Sequence, residues 1–206
     1  MESPHKETNK ANQEFWAEPC GTNTKAYRKF GFKSREAFDS WYFGFYPYLE
    51  KYIPFENIKS KRVLEVGLGL GTVSERLANE GAIYYGMDIA EGPVAEVKGR
   101  LGSLQLNGEV LLGNVLECPW DDDYFDFVIS IGCLHHTGSL VHAIGELIRV
   151  LKPGGIGILM VYNAFSYRQW LTAPCVTWRQ LRAEGNGTII GFSLAGDVIT
   201  PNLKGK

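Results

Sequence analysis

The sequence predicts an α/β fold, a doubly wound and mainly parallel sheet, on three observations. Five short apolar runs, "RVLEVG", "AIYYGMD", "EVLLGN", "FDFVISIG" and "IGILMVY", follow one another between Arg62 and Tyr162. Stretches with helical spacing of apolar residues separate most of them, and strands alternating with helices imply parallel pairing through crossovers. Three glycines at alternate positions, Gly67, Gly69 and Gly71, stand directly behind the first run, where such a sheet turns from strand to helix and binds its ligands.

Taken in order, the chain opens with "MESPHKETNKANQE", a polar stretch with no apolar run. It reads as a flexible tail over residues 1–14, neither signal peptide nor membrane anchor. Residues 15–58 form an aromatic-rich helical cap, because more than half of the aromatic side chains lie between Phe15 and Phe55. Phe38, Trp41, Tyr42 and Phe45 recur at helical spacing, and Pro47 suits the first turn of a second short helix. Residues 59–206 are assigned to the α/β domain. Its first strand runs into a helix near Thr72 to Glu80, and its second precedes a helix near Pro93 to Leu104, weakened by Gly99 and Gly102. The third strand leads into the loop "VLECPWDDDY", then the fourth. A helix near Leu140 to Leu151 stops at "KPGG", and the fifth strand follows. Beyond residue 163 the pattern fades: a helical stretch broken at Pro174 precedes glycine-rich pieces without a convincing strand pair.

At 206 residues the chain has room for one domain and a substantial core. A hydrophobic share of 45%, a charged share of 21% and a formal charge of -2 give no electrostatic reason to expect a nucleic acid or an anionic membrane as partner. Cys20, Cys118, Cys133 and Cys175 are scattered without a CxxC pair, as reduced cytoplasmic thiols are.

Glycine at the strand-to-helix turn permits positive φ and removes the side chain that would hold a ligand away. A nucleotide-like ligand follows, although a tight structural turn or a dinucleotide fingerprint has the same glycines. Asp88 closes the second strand, where a carboxylate can accept both ribose hydroxyls. Glu65, two residues ahead of the glycines, would oppose a pyrophosphate and suit a cationic ligand head, directly or through water.

Together "LEVGLGLG", the acidic strand end "GMD", "GNVLECPWDDDYFDFVIS" and "LKPGG" make the chain similar to the class I S-adenosylmethionine-dependent methyltransferases, over about residues 60 to 162. "LHH" after the fourth strand is nearest to the small-molecule type. The resemblance implies a Rossmann-like methyltransferase fold, S-adenosylmethionine as cofactor and a small-molecule acceptor; composition and charge add the expectation of neither nucleic acid nor membrane as partner. It places Glu65, Gly67, Gly69 and Gly71 along the methionine part and ribose, Asp88 on the ribose hydroxyls and Ile89 against adenine. Asn114 and Val115 would meet the adenine edge and Ile131 the amino-acid part. Many members carry aspartate where this chain has Asn114, whose amide oxygen can still accept from the adenine amino group. Members commonly add a strand pair after the fifth strand. Its absence from the readable sequence supports an alternative, a shortened, weakly active or inactive domain that binds cofactor or a partner. An NAD-dependent oxidoreductase would share the glycine turn and Asp88 but leave "LKPGG" and Glu65 unexplained.

His135 and His136 are candidate catalytic bases, since imidazole titrates near neutral pH, and packing residues in the bland reading. With Cys133 they crowd one short turn and lack a distant fourth ligand, so no metal is expected. "DDDY" reads as a solvated turn. Trp16, Tyr27, Tyr42 and Tyr46 are candidates either for the aromatic core or for a lid offering cation–π contact to a sulfonium.

Overall fold

Val63 to Val66 alternate between two apolar layers, and that alternation makes the run behind the glycines the central strand of a two-faced sheet. In the computed structural model, which describes residues 31–161 with Lys10, Gln13, Glu14, Tyr27, Arg28 and Leu171, strand β1 spans Arg62–Val66. It is followed by β2 (Ile83–Asp88), β3 (Glu109–Leu112), β4 (Phe125–Ile131) and β5 (Leu151–Met160). All pairings are parallel, in the order β3-β2-β1-β4-β5. The chain winds outward from β1 in one direction, then returns to continue on its other side with β4. The reversal opens a crevice at the carboxyl ends of β1 and β4.

Among the described residues five α-helices accompany the sheet: α1 (Arg35–Phe45), α2 (Tyr48–Tyr52), α3 (Thr72–Asn79), α4 (Glu91–Ser103) and α5 (Leu140–Val150). Ser34 caps α1, its side chain accepting from the Ala37 amide at 3.2 Å. One core gathers Leu49, Ile53, Val63, Leu77, Val97 and Ile129 between the sheet and α2, α3 and α4. The other gathers Leu64, Val66, Phe125, Val128, Ala143 and Leu147 beneath α5. Burying each such aliphatic side chain contributes about 1.5–3 kcal/mol, so the sheet is held from both faces.

Two boundaries differ from expectation. Helix α4 starts at Glu91, ahead of Pro93, because proline is accommodated within a first turn that lacks intrahelical donors anyway. "KPGG" does not separate helix from strand; it is a bulge inside β5. Phe125 pairs with Leu151 and Phe127 with Ile156, so the intervening residues loop out of register. Gly154 supplies the positive φ of 79° there. The expected tail, Trp16 and the stretch after residue 163 lie outside the described residues, single positions apart. Among the described residues no helix is long and apolar enough to cross a membrane.

Candidate functional site

Each glycine of the turn has a positive φ, 85° at Gly67, 52° at Gly69 and 77° at Gly71, a backbone region costly to residues with a Cβ. Their neighbours differ. A Cβ on Gly67 would lie 2.8 Å from Cys133 Sγ, and one on Gly71 would lie 2.9 Å from Val97 Cγ2 and 3.1 Å from Arg100 Cδ. A Cβ on Gly69 would meet no atom within 4 Å beyond its chain neighbours. Gly69 opens directly into a cleft.

That cleft holds a cavity of about 160 Å³ beneath an open mouth. Its walls come from the ends of several strands and the turns that follow them: Val66, Gly67 and Gly69 at the end of β1, Asp88 and Ile89 at the end of β2, Asn114 and Val115 beyond β3, and Ile131, Cys133 and His136 at the end of β4. Seven of the expected cofactor residues, Gly67, Gly69, Asp88, Ile89, Asn114, Val115 and Ile131, therefore meet around one opening.

Asp88 does more than face the cleft. Its Oδ2 accepts from the Leu68 amide at 2.8 Å and its Oδ1 from the Ala90 amide at 2.9 Å. It thereby holds the glycine turn to the end of β2. Burial pushes its pKa up, against the backbone hydrogen bonds that favour the ionised form. A carboxylate has about four acceptor sites, so two backbone donors leave capacity for a diol. Asn114 Oδ1 accepts from the Leu116 amide at 3.0 Å and caps the turn Val115–Glu117.

Glu65 and Gly71 are placed elsewhere. The Glu65 side chain follows strand alternation onto the face covered by α3, where it accepts from Ser74 Oγ at 2.6 Å and Tyr84 O–H at 2.7 Å. It is 3% exposed and forms no part of the cleft wall. Burial raises its pKa to about 7, although both hydrogen bonds favour the carboxylate. Gly71 is the N-cap of α3 and its carbonyl accepts from Arg100 Nη1 at 3.1 Å. Position in the motif carried no information about either neighbour, because Ser74, Tyr84 and Arg100 arrive from other elements.

His135 and His136 lie on a short turn after β4, their ring centres 4.1 Å apart. His136 lines the cleft and His135 does not. Burial, reinforced by the neighbouring His136, brings the His135 pKa down to about 4. Burial also lowers that of His136, so both are neutral at pH 7. Of the described lid candidates, Tyr27 packs against the Phe38 and Leu70 pair, and Tyr42 and Tyr46 pack on the core between sheet and helices; none of these three lines the cleft. In "DDDY", Asp122 accepts from Arg149 Nη1 at 2.8 Å. Six cleft residues had no assigned role from sequence, Val66, Met87, Pro93, Gly113, Gly132 and Thr137; Val66, Met87, Gly113 and Gly132 adjoin expected cofactor residues in the chain, the signal that could have found them.

A parallel sheet with a glycine turn, an acidic end to β2 and a cleft at the strand-order reversal defines a Rossmann-like nucleotide-binding class. Within that class residues 64–159 match the methyltransferase domain family. The chain is 38% identical over 98 residues to 24-methylenesterol C-methyltransferase 2 of Oryza sativa subsp. japonica, covering 46% of this chain and 27% of that protein. It is 32% identical over 108 residues to the ubiquinone biosynthesis O-methyltransferase of Coxiella burnetii, covering 52% of this chain and 45% of that one. The chain thus spans less than half the length of either relative. Among solved structures, the PH0226 protein of Pyrococcus horikoshii OT3 superposes with a TM-score of 0.54 at 25% identity, over 69% of this chain and 64% of that one.

Proposed function

We propose that this chain binds S-adenosylmethionine in the cleft and transfers its methyl group to a small-molecule acceptor, releasing S-adenosylhomocysteine. The observation that carries the reading is the open space beside Gly69, on a cleft wall that also presents Asp88 and Asn114. When bound, the sulfonium supplies an activated methyl group: the acceptor's electron pair forms the new bond to carbon while the carbon–sulfur pair returns to sulfur.

The chain's own residues bind, orient and exclude water. Asp88 would accept the ribose hydroxyls, Ile89 and Val115 would flank the base, and Asn114 would meet its edge. Gly67, Gly69 and Ile131 would let the amino-acid part approach the backbone. Glu65 and Gly71 contribute from behind, by fixing the turn. Alignment in a dry site accounts for about 7–11 kcal/mol in well-oriented reactions, and no protein nucleophile is needed. For a hydroxyl acceptor, neutral His136 on the wall can take the proton; His135, at about 4 and off the wall, is too weak a base at neutral pH. The reading includes a cytoplasmic address, supported by the scattered cysteines. Residues 1–14 serve as a tail, 15–58 as the cap and 59–206 as the catalytic domain. The partner is a small molecule; sterol and ubiquinone precursors, suggested by the relatives' names, are the first acceptors to screen.

Calorimetric titration with S-adenosylhomocysteine, with NAD in parallel, tests the reading. The expected result is micromolar binding of S-adenosylhomocysteine alone, followed by transfer of labelled methyl to an acceptor. A folded chain that binds neither molecule, or binds only NAD, refutes it.

A further inference from the structure

Arg100 is 1% exposed, and among the described residues its guanidinium bonds to Asp39 on α1, to the Gly71 carbonyl of the glycine turn and to Glu75 on α3. Its Nη1 and Nη2 grip both oxygens of Asp39, on α1, at 3.0 Å each. Nη1 also donates to the Gly71 carbonyl and to Glu75 Oε2, each at 3.1 Å. Asp39 in turn accepts from Thr72 Oγ1 at 2.6 Å, at the first residue of α3. Alongside, Phe38 of α1 packs on Leu70, the residue between Gly69 and Gly71.

The turn is consequently clamped at both ends. Asp88 holds the Leu68 amide, and Arg100 holds the Gly71 carbonyl. The span left between them is Gly69, which opens on the cleft, and Leu70, which carries α1. A guanidinium fork bound to both oxygens of one carboxylate admits a single relative orientation, so α1 has one seat on the turn.

We infer that Arg100 and Asp39 are positioning residues that couple occupancy of the cleft to the seating of helix α1. This rests on the cofactor reading above. A ligand that orders Gly69 orders Leu70 and α1 with it, and by thermodynamic reciprocity whatever seats α1 tightens ligand binding. The aromatic helix then acts as a cofactor-responsive wall rather than a passive cap.

Hydrogen exchange on the full chain, with and without saturating S-adenosylhomocysteine, tests this. In the wild type the ligand slows exchange over residues 67–71 and also over 35–45. In Asp39→Asn binding weakens about fivefold or more, the turn still responds at saturation and α1 does not. Asp39→Glu, which restores a carboxylate, recovers part of the α1 response. A merely structural ion pair would alter α1 equally with and without ligand. The inference is overturned if α1 of Asp39→Asn responds as the wild type does. It is overturned also if wild-type α1 ignores a ligand that protects the turn, an arm that needs no variant to fold. Absence of any binding to the wild type removes the cofactor reading and this inference together.

Discussion

At the scale of single residues, the glycine turn separates packing from ligand access. A methyl group on Gly67 or Gly71 meets protein, whereas one on Gly69 meets only the cleft. Gly67→Ala is therefore expected to destabilise the fold by about 2–4 kcal/mol, combining the left-handed backbone penalty with overpacking on Cys133. Gly69→Ala should cost about 1–2 kcal/mol of stability and weaken S-adenosylhomocysteine binding at least tenfold. Urea denaturation beside calorimetric titration of both variants checks the contrast, and equal loss of binding per unit of lost stability would contradict it. Glu65 makes a second prediction. Its pKa is raised to about 7 by burial, so between pH 4.5 and about 7 the folded state holds more protons than the unfolded one. The stability this group contributes is complete below its unfolded pKa and is lost as pH rises through about 7. Glu65→Gln should remove that decline while keeping an oxygen acceptor for Ser74 or Tyr84. Denaturation midpoints of the two proteins measured from pH 4.5 to 8 should diverge progressively in favour of the variant.

At the scale of elements, the bulge in β5 lets α5 pass directly into the strand. Lys152 Nζ donates to Asp126 Oδ1 at 2.7 Å, and Asp126 Oδ2 accepts from the Arg62 amide at 2.9 Å, which ties the bulge to β4 and to the start of β1. Gly155 lies so close to backbone that a Cβ there would come within 2.9 Å of the Lys152 carbonyl oxygen and 3.0 Å of that of Asp126. Gly155→Ala is expected to cost about 1–3 kcal/mol, read as a lowered melting temperature. Gly154→Ala, with no atom within 4 Å, should cost only the left-handed penalty of about 1–2 kcal/mol.

At the scale of the molecule, two cores share one sheet, and neither can be lost alone. Leu77→Ala beneath α3 and Leu147→Ala beneath α5, each at most 2% exposed, are each expected to cost about 2–5 kcal/mol. In both variants tryptophan fluorescence and far-ultraviolet circular dichroism should report one coincident transition. Separate midpoints would show that the two faces unfold independently.

Strand alternation, glycine spacing and the acidic end of β2 are local signals, because each follows from the backbone geometry of a few consecutive residues. They sufficed for the parallel sheet, the limits of β1, β2 and β4, and the place of the cleft beside Gly69 and Asp88. The sequence by itself also determined the family likeness over residues 60 to 162. What only the tertiary structure decided is which way each site residue faces. Glu65 turns to Ser74 and Tyr84, Gly71 makes room for Arg100, and "KPGG" folds into the strand it was expected to precede. Those outcomes depend on partners far along the chain, brought close by strand order and helix docking, and spacing within a motif holds no record of them.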